Sequence, residues 1–357
     1  MSDQTEILAE KVREAVRAKQ PLQIVGGGTK QFYGRAPTGE RLELAGHSGV
    51  VSYEPTELVI TARSGTTLKD INTTLAEHGQ MLPFEPPAFG EHATLGGTIA
   101  CNLSGPRRPY QGAARDFVLG CRLVNGNSDV LHFGGEVMKN VAGYDVSRLQ
   151  CGALGTLGVL LEVSLKVLPR PEADMTLVQE CNAQEAIDTM NRLGGQPVPL
   201  SAACHDGNKM FLRLSGSEAG IVAAHKRIGG DVYDKSAEFW QQLNEQQLPF
   251  FDGDSPLWRL SLAPATPILN TKGRTLIDWG GAQRWIRSDE PMDQLRALAT
   301  RAGGHATVFR NGAINSDDNN GQPFHPLDAG LMQLHERLKQ SFDPHGIFNP
   351  GRMYPAL

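Results

Sequence analysis

The chain runs to 357 residues, 40% hydrophobic and 20% charged, with a formal net charge of -5. That length accommodates two ordinary domains, and the mildly acidic balance gives no reason to expect nucleic acid or an anionic membrane surface as a partner. Cys101, Cys121, Cys151, Cys181 and Cys204 are widely scattered and form no C-x-x-C pair. This spacing argues against a disulfide framework or an iron–sulfur cluster and for free buried thiols in a reducing compartment.

The first residues, Met-Ser-Asp-Gln-Thr-Glu, lack the basic and apolar regions of a secretory signal. No apolar run approaches the ~20 residues that span a bilayer. The expected location is therefore cytoplasmic, with any contact to the inner face of the plasma membrane peripheral and made through partners. An amphipathic helix with Leu8, Val12, Ala15 and Val16 on one face is predicted to end before Pro21. A strand over 22–25 then feeds the glycine loop Ile24-Val-Gly-Gly-Gly-Thr-Lys30. Residues 59–63 read as a strand and 68–78 as a helix stopped by Gly79. A second glycine-rich stretch, Thr94-Leu-Gly-Gly-Thr-Ile-Ala-Cys-Asn-Leu-Ser-Gly105, follows. Strands over 117–124 and 130–133 flank Asn125-Gly-Asn-Ser, a hairpin signal. The third glycine loop, Gly152-Ala-Leu-Gly-Thr-Leu-Gly-Val159, opens a long strand over 159–168, and Pro169 and Pro171 mark a boundary.

Beyond it the pattern changes to a strand (176–180), a helix (183–193), two strands (200–205 and 209–214) and a helix (217–228), with a later helix over 292–302 and strand over 306–309. This order predicts an α+β layer with antiparallel strands. Phe239, Trp240, Phe250, Phe251 and Trp258 are crowded together in a chain only 6% aromatic. They form either the core of this region or an apolar face for a partner. A helix over 327–342 leads to the closing Asn349-Pro-Gly351.

Glycine lets bare backbone approach a ligand and tolerates positive φ, so three such loops point to a long anionic ligand gripped at several points, such as a dinucleotide. A nicotinamide-type Rossmann unit is set aside because no G-x-G-x-x-G opens a helix. A Walker A loop is set aside because no glycine precedes a lysine.

The order of several segments resembles a specific family. Val25-Gly-Gly-Gly-Thr29, Pro83-Phe-Glu-Pro-Pro87 ahead of Thr94-Leu-Gly-Gly-Thr-Ile-Ala100, Arg115-Asp-Phe-Val-Leu-Gly120, Gly143-Tyr-Asp145 and Gly155-Thr-Leu-Gly-Val159 resemble the FAD-binding domain of the vanillyl-alcohol oxidase type, also called PCMH-type. Phe342-Asp-Pro-His-Gly-Ile-Phe-Asn-Pro-Gly351 resembles that family's closing segment. Three further segments are similar to the FAD-binding subunits of bacterial glycolate oxidases: Ser104-Gly-Pro-Arg-Arg-Pro109, Phe133-Gly-Gly-Glu-Val-Met-Lys-Asn-Val-Ala-Gly-Tyr-Asp145 and Ile277-Asp-Trp-Gly-Gly281.

The resemblance implies a two-domain α+β fold: an FAD-binding domain over 1–172, an antiparallel α+β cap over 173–325, and a segment over 326–357 that returns to the FAD domain. It also implies the site. Gly26, Gly27, Gly28 and Thr29 would offer N–H groups to the diphosphate, helped by a following helix N-terminus. Thr94, Gly96, Gly97, Asn102 and Gly105 would share the diphosphate and ribityl chain. Gly155, Gly158 and Val159 would meet the adenine and flavin ends, with Asn349 in the closing segment. Arg108 and Arg115 are the natural cations for a diphosphate, although Arg115 could instead pair with Asp116; Arg107 is expected in solvent. Lys139 and Asn140 would donate toward the flavin pyrimidine edge.

Residues 25–34 contain no histidine, so the FAD is expected to be noncovalent; His92 is the one nearby candidate for attachment. Catalytic relatives carry paired histidines for a divalent metal. Here His205-Asp-Gly-Asn208 reads as a hairpin turn and His305 stands alone as a weak catalytic candidate, so no metal is expected. By resemblance, the chain would hold a flavin that accepts or relays electrons beside a larger FAD-containing subunit and an iron–sulfur subunit, with glycolate as the substrate of the complex. Two alternatives stay open: a self-sufficient FAD-dependent 2-hydroxy acid dehydrogenase, and an assembly subunit whose FAD never turns over.

Overall fold

Apolar residues repeat at helical spacing near the start of the chain and give helix α1 (Thr5–Ala18), which buries Leu8, Ala9, Val12 and Ala15. The fold is taken from a computed structural model, which describes residues 2–135, 144–311 and 322–357. Strands β1 (Leu22–Val25), β2 (Glu40–Glu43), β3 (Val50–Glu54) and β4 (Val59–Arg63) follow, then helix α2 (Leu68–Ala76), the short β5 (Gln80–Met81) and helix α3 (Leu95–Cys101). Single-turn helices α4 (Arg108–Gln111) and α5 (Ala114–Phe117) precede β6 (Val118–Val124) and β7 (Val130–Gly134). The short α6 (Val146–Leu149) comes before β8 (Val159–Lys166) and β9 (Leu168–Pro169).

The chain divides into two compact units, of which the first is Met1–Ser104, Ala113–Arg170 and Pro326–Leu357. Its main sheet has the order β3-β4-β8-β6-β7, antiparallel throughout. Strand β8 lies at its centre, and six of its eight residues are buried. On one side, Val163 and Leu165 pack with Ile71 and Leu75 of α2 and Ile99 of α3. On the other, Val159 and Leu161 join Leu8 and Val12 of α1 with Ile347 and Phe348 of the closing segment. Strands β1 and β2 pair in parallel, and Phe348 bridges to Leu22 beside them. The β6–β7 connection is a five-residue loop in which Asn125 Oδ1 accepts the N–H groups of Asn127 and Asp129 at 3.0 and 2.9 Å.

The second unit is Gly105–Gly112 with Pro171–His325, so the Pro-Arg-Arg excursion belongs here. In chain order it adds β10 (Ala173–Glu180), α7 (Ala183–Gly194), β11 (Leu200–His205), β12 (Lys209–Gly216), α8 (Glu218–Ile228), β13 (Asp231–Val232) and α9 (Ser236–Asn244). Strands β14 (Leu257–Ser261), β15 (Arg274–Asp278) and β16 (Gln283–Arg287), helix α10 (Met292–Arg301) and strand β17 (His305–Arg310) complete it. Helix α11 (Ala329–Phe342) lies back in the first unit. The eight strands form one antiparallel sheet in the order β13-β10-β12-β11-β15-β16-β14-β17, the α+β architecture that the pattern predicts.

One expectation is corrected here, and one pair of alternatives is decided. Arg107 is 5% exposed rather than solvated, because its guanidinium reaches Asp174 at 3.2 Å and Ser215 at 3.1 Å. The crowded aromatics offer no partner face: Phe239, Trp240, Phe250, Phe251 and Trp258 are all buried. Phe239 stacks on Phe211 with ring centroids 4.1 Å apart, and the Trp240 indole donates to Thr176 at 2.8 Å. Their shared burial makes them core.

Candidate functional site

The three glycine loops converge in the first unit. A cleft of about 580 Å³ is lined by Gly26, Gly27, Gly28 and Thr29, by Thr94 and Gly97, and by Asn349. It continues into a space of about 410 Å³ that shares Gly26, Thr94, Gly97 and Asn349 and adds Gly96, Gly155 and Gly158. These glycines have different jobs. A Cβ on Gly27 would stand 1.5 Å from the His92 carbonyl oxygen, and one on Gly26 would stand 2.3 Å from Thr94 Oγ1. Both positions therefore require glycine for the loop to pack against residues 92–94. Gly96 similarly lets α3 lie against Ser64, with a contact of 2.7 Å to its Cβ. Gly28 takes φ +72° and Gly155 φ +71°, in the left-handed region. Gly97 is different again: a Cβ there would meet just Thr94 Oγ1, at 3.3 Å. It borders open cleft.

The polar supply at the cleft is uneven. Among the described residues, the backbone N–H groups of Gly26, Gly27, Gly28 and Thr29 find no acceptor, leaving four donors for a ligand. No helix follows this loop; residues 26–34 run as bends and turns, which corrects the expected helix N-terminus. The helix that begins at the cleft is α3, and its first N–H groups are already used. Leu95 donates to Thr66 O, Gly96 to Ser64 O and Gly97 to Thr94 Oγ1.

Two cations line the cleft, Lys30 and Arg352, and no carboxylate does so among the described residues. Both are buried. Lys30 Nζ donates to the Ala88 carbonyl at 3.1 Å. Arg352 donates to the carbonyls of Arg35, Lys30 and Gln31, and burial holds its pKa below the ordinary guanidinium value. The sequence reading passed over both residues. Lys30 is the last residue of the first loop and carries a local signal; Arg352 stands more than 300 residues away, and its backbone partners leave none.

Other expected site residues lie elsewhere. Asn102 closes α3 at φ 50°, and its Oδ1 is buried without a partner among the described residues. Val159 begins β8 with its side chain in the core. Arg115 is exposed and lines a separate cavity of about 1070 Å³ with Arg148 and Lys339. Its suspected partner Asp116 instead accepts the Ala113 N–H at 2.8 Å. Gly105 and Arg108 belong to the second unit. There the Trp279 indole donates to the Gly105 carbonyl at 3.0 Å, and the Arg108 guanidinium stacks 4.4 Å over the Trp279 ring. The two unusual motifs Ser104–Pro109 and Ile277–Gly281 thus pack on one another. This contact takes up the Arg108 side chain that was expected to pair with a diphosphate. Lys139 and Asn140 lie outside the described residues.

The histidines give no metal cluster among the described residues. His205 is fully buried in β11, with Nε2 3.0 Å from the Cys181 carbonyl. Asp206 Oδ1 accepts from Asn208 and Lys209, forming an ordinary β11–β12 turn. His305 is exposed at the start of β17, and its ring lies 6.4 Å from that of His325, a neighbour the sequence did not reveal. Although the residue's surface is exposed, packing around the ring desolvates it, and this with Arg259 and His325 holds the His305 pKa below its usual value.

Residues 2–134 match the family model described as FAD binding domain. The chain is 50% identical over 355 residues, covering 99% of both sequences, to "Glycolate oxidase subunit GlcE" of Escherichia coli (strain K12). It is 34% identical over 160 residues, 44% of this chain and 34% of the relative, to "Glycolate oxidase subunit GlcD" of Bacillus subtilis (strain 168). A solved alkyldihydroxyacetonephosphate synthase superposes with a TM-score of 0.67 over 97% of this chain and 74% of its own, at 15% identity, a likeness of fold alone. The architecture is the vanillyl-alcohol oxidase-type FAD-binding fold, and identity at this level along 99% of both sequences makes the chain a member of the GlcE family of glycolate oxidase subunits.

Proposed function

We propose that this chain is the flavin-binding subunit of a glycolate oxidase complex and holds a dissociable FAD that accepts or relays electrons. Residues 1–104, 113–170 and 326–357 form the cofactor domain, and 105–112 with 171–325 form the cap. The observation that carries the reading is the composition of the cleft: four N–H donors without acceptors and two buried cations, with no carboxylate lining it among the described residues. A diphosphate presents the matching charge and acceptors. When bound, FAD supplies the two-electron chemistry that no amino-acid side chain provides.

This chain's own residues bind and orient. Gly26 to Thr29 would donate N–H groups to the diphosphate, Lys30 and Arg352 would balance its charge, and Gly97 would leave room for close approach. Noncovalent retention is supported by the absence of histidine from 25–34 and by the exposure of the His92 side chain. The need for partners is supported by the cysteines, which are all unpaired and dispersed, so electrons have no thiolate-bound cluster to leave by among the described residues. Hydride removal from the α-carbon of glycolate then belongs mainly to the larger flavin subunit, and an iron–sulfur subunit carries electrons onward.

Anaerobic mixing with glycolate tests this division of labour. The purified chain alone should keep its flavin absorbance, whereas in the assembled complex the absorbance should bleach. Bleaching of the isolated chain within seconds, abolished by His305→Ala, would instead establish a self-sufficient dehydrogenase.

A further inference from the structure

The closing segment grips both walls of the cleft. Asn349 Oδ1 accepts the Ile24 N–H at 2.8 Å on the β1 side, and Asn349 Nδ2 donates to the Leu154 carbonyl at 2.7 Å on the Gly155 side. Its backbone N–H donates to the Leu22 carbonyl at 2.9 Å. Three residues later, Arg352 reaches over the far limb of the glycine loop. It donates to the Arg35 carbonyl at 2.9 Å, to Lys30 at 3.3 Å and to Gln31 at 3.2 Å.

This grip adds to the hold on the glycine loop, whose backbone is lightly bonded within itself and which is otherwise tied through Thr29 Oγ1 and Lys30 Nζ to the Ala88 carbonyl at 2.8 and 3.1 Å. Residues 26–34 belong to no ladder. Their mutual backbone bonds are a long Gln31–Gly28 contact of 3.4 Å and a Tyr33–Lys30 contact of 3.1 Å. The closing segment is itself anchored. Lys339 Nζ donates to Asp343 at 2.7 Å, to the Phe348 carbonyl at 2.7 Å and to the Thr156 carbonyl at 2.9 Å.

We infer that Asn349 and Arg352 form a clasp that sets how long FAD stays bound. The inference rests on the reading that FAD occupies this cleft. Asn349 is a positioning residue that fixes the separation of the two walls; Arg352, beside its charge, pins the 30–35 limb that continues from the diphosphate-binding N–H groups. A fork of N–H donors can hold several carbonyls at once, which one ammonium group cannot reproduce. Loosening the clasp lets the loop swing away from the diphosphate, so the effect falls on release rather than on capture.

The test uses the full chain, wild type, R352A, R352K and N349A, titrated with FAD, ADP and riboflavin, with FAD release followed after dilution. R352A should weaken FAD and ADP by about tenfold or more, a loss of roughly 1.4 kcal/mol, chiefly through faster release. R352K should recover part of the loss. Riboflavin, which lacks the diphosphate, should bind R352A as it binds the wild type, whereas N349A should weaken all three. Release of FAD from R352A at the wild-type rate overturns the clasp, as does an equal loss of riboflavin and ADP affinity. A wild-type chain that binds none of the three overturns the clasp together with the reading of the cleft.

Discussion

At the scale of single residues, Gly97 and Gly27 look equivalent in the sequence and differ in the structure. Gly97 borders open cleft, so Gly97→Val projects its methyl groups into ligand space while leaving the loop packing intact. FAD affinity should fall at least about tenfold, near 1.4 kcal/mol, in a titration, with far-UV circular dichroism unchanged. Gly27→Val would drive a side chain into the His92 carbonyl, so it deforms the loop whether or not a cofactor is present. The glycine positions were legible because a missing Cβ is a local property. The cations were not. Arg108 and Arg115 looked suitable by proximity in sequence, but tertiary packing stacks Arg108 on Trp279 and leaves Arg115 exposed beside a separate cavity. The same packing brings Lys30 and Arg352 to the cleft.

At the scale of elements, periodicity was informative wherever one face is buried. The helix over 68–78 appears as α2 with Leu68, Ile71 and Leu75 inward, and the strands over 200–205 and 209–214 pair as β11 and β12. How elements are tied together was not legible. The Lys339–Asp343 pair that locks α11 to the closing segment is set among backbone groups, which no repeat announces. Burial holds the Lys339 pKa below its usual value while Asp343 acts against that. Lys339→Met should destabilise the chain by about 3–5 kcal/mol in a urea titration, because it leaves a buried carboxylate without its cation.

The join at α1 makes a pH prediction. His47 is fully buried and its Nδ1 accepts the Gln4 N–H at 2.9 Å, so the ring must be neutral at that nitrogen. Burial lowers its pKa from 6.5. The unfolded chain therefore binds a proton more readily than the folded one. The stabilisation is complete above pH 6.5 and is lost as pH falls from there toward the folded-state pKa. Denaturation midpoints of the wild type should drop across that interval, and His47→Gln, which keeps an acceptor for Gln4 but does not titrate, should flatten the slope.

For the whole molecule, membership of the GlcE family makes this chain part of an oxidoreductase, and the cleft gives that membership a physical content. Among the described residues no helix is long and apolar enough to cross a membrane. A ligand that binds the folded state alone stabilises it by mass action, so FAD at about 100 times its dissociation constant should add roughly 2.7 kcal/mol, seen as a raised melting temperature. The division into two units and the antiparallel sheet of the second followed from element order. The mutual packing of Ser104–Pro109 with Ile277–Gly281 did not, because it joins segments far apart in the chain.

The most direct test of the central claim is the flavin content of the purified full chain, measured after acid denaturation and separation of polypeptide from supernatant. One FAD per chain is expected, all of it in the supernatant, with recovery of that stoichiometry when the apo-chain is incubated with FAD. A folded chain that takes up no FAD at saturating concentration, or flavin that stays on the denatured polypeptide, would contradict it.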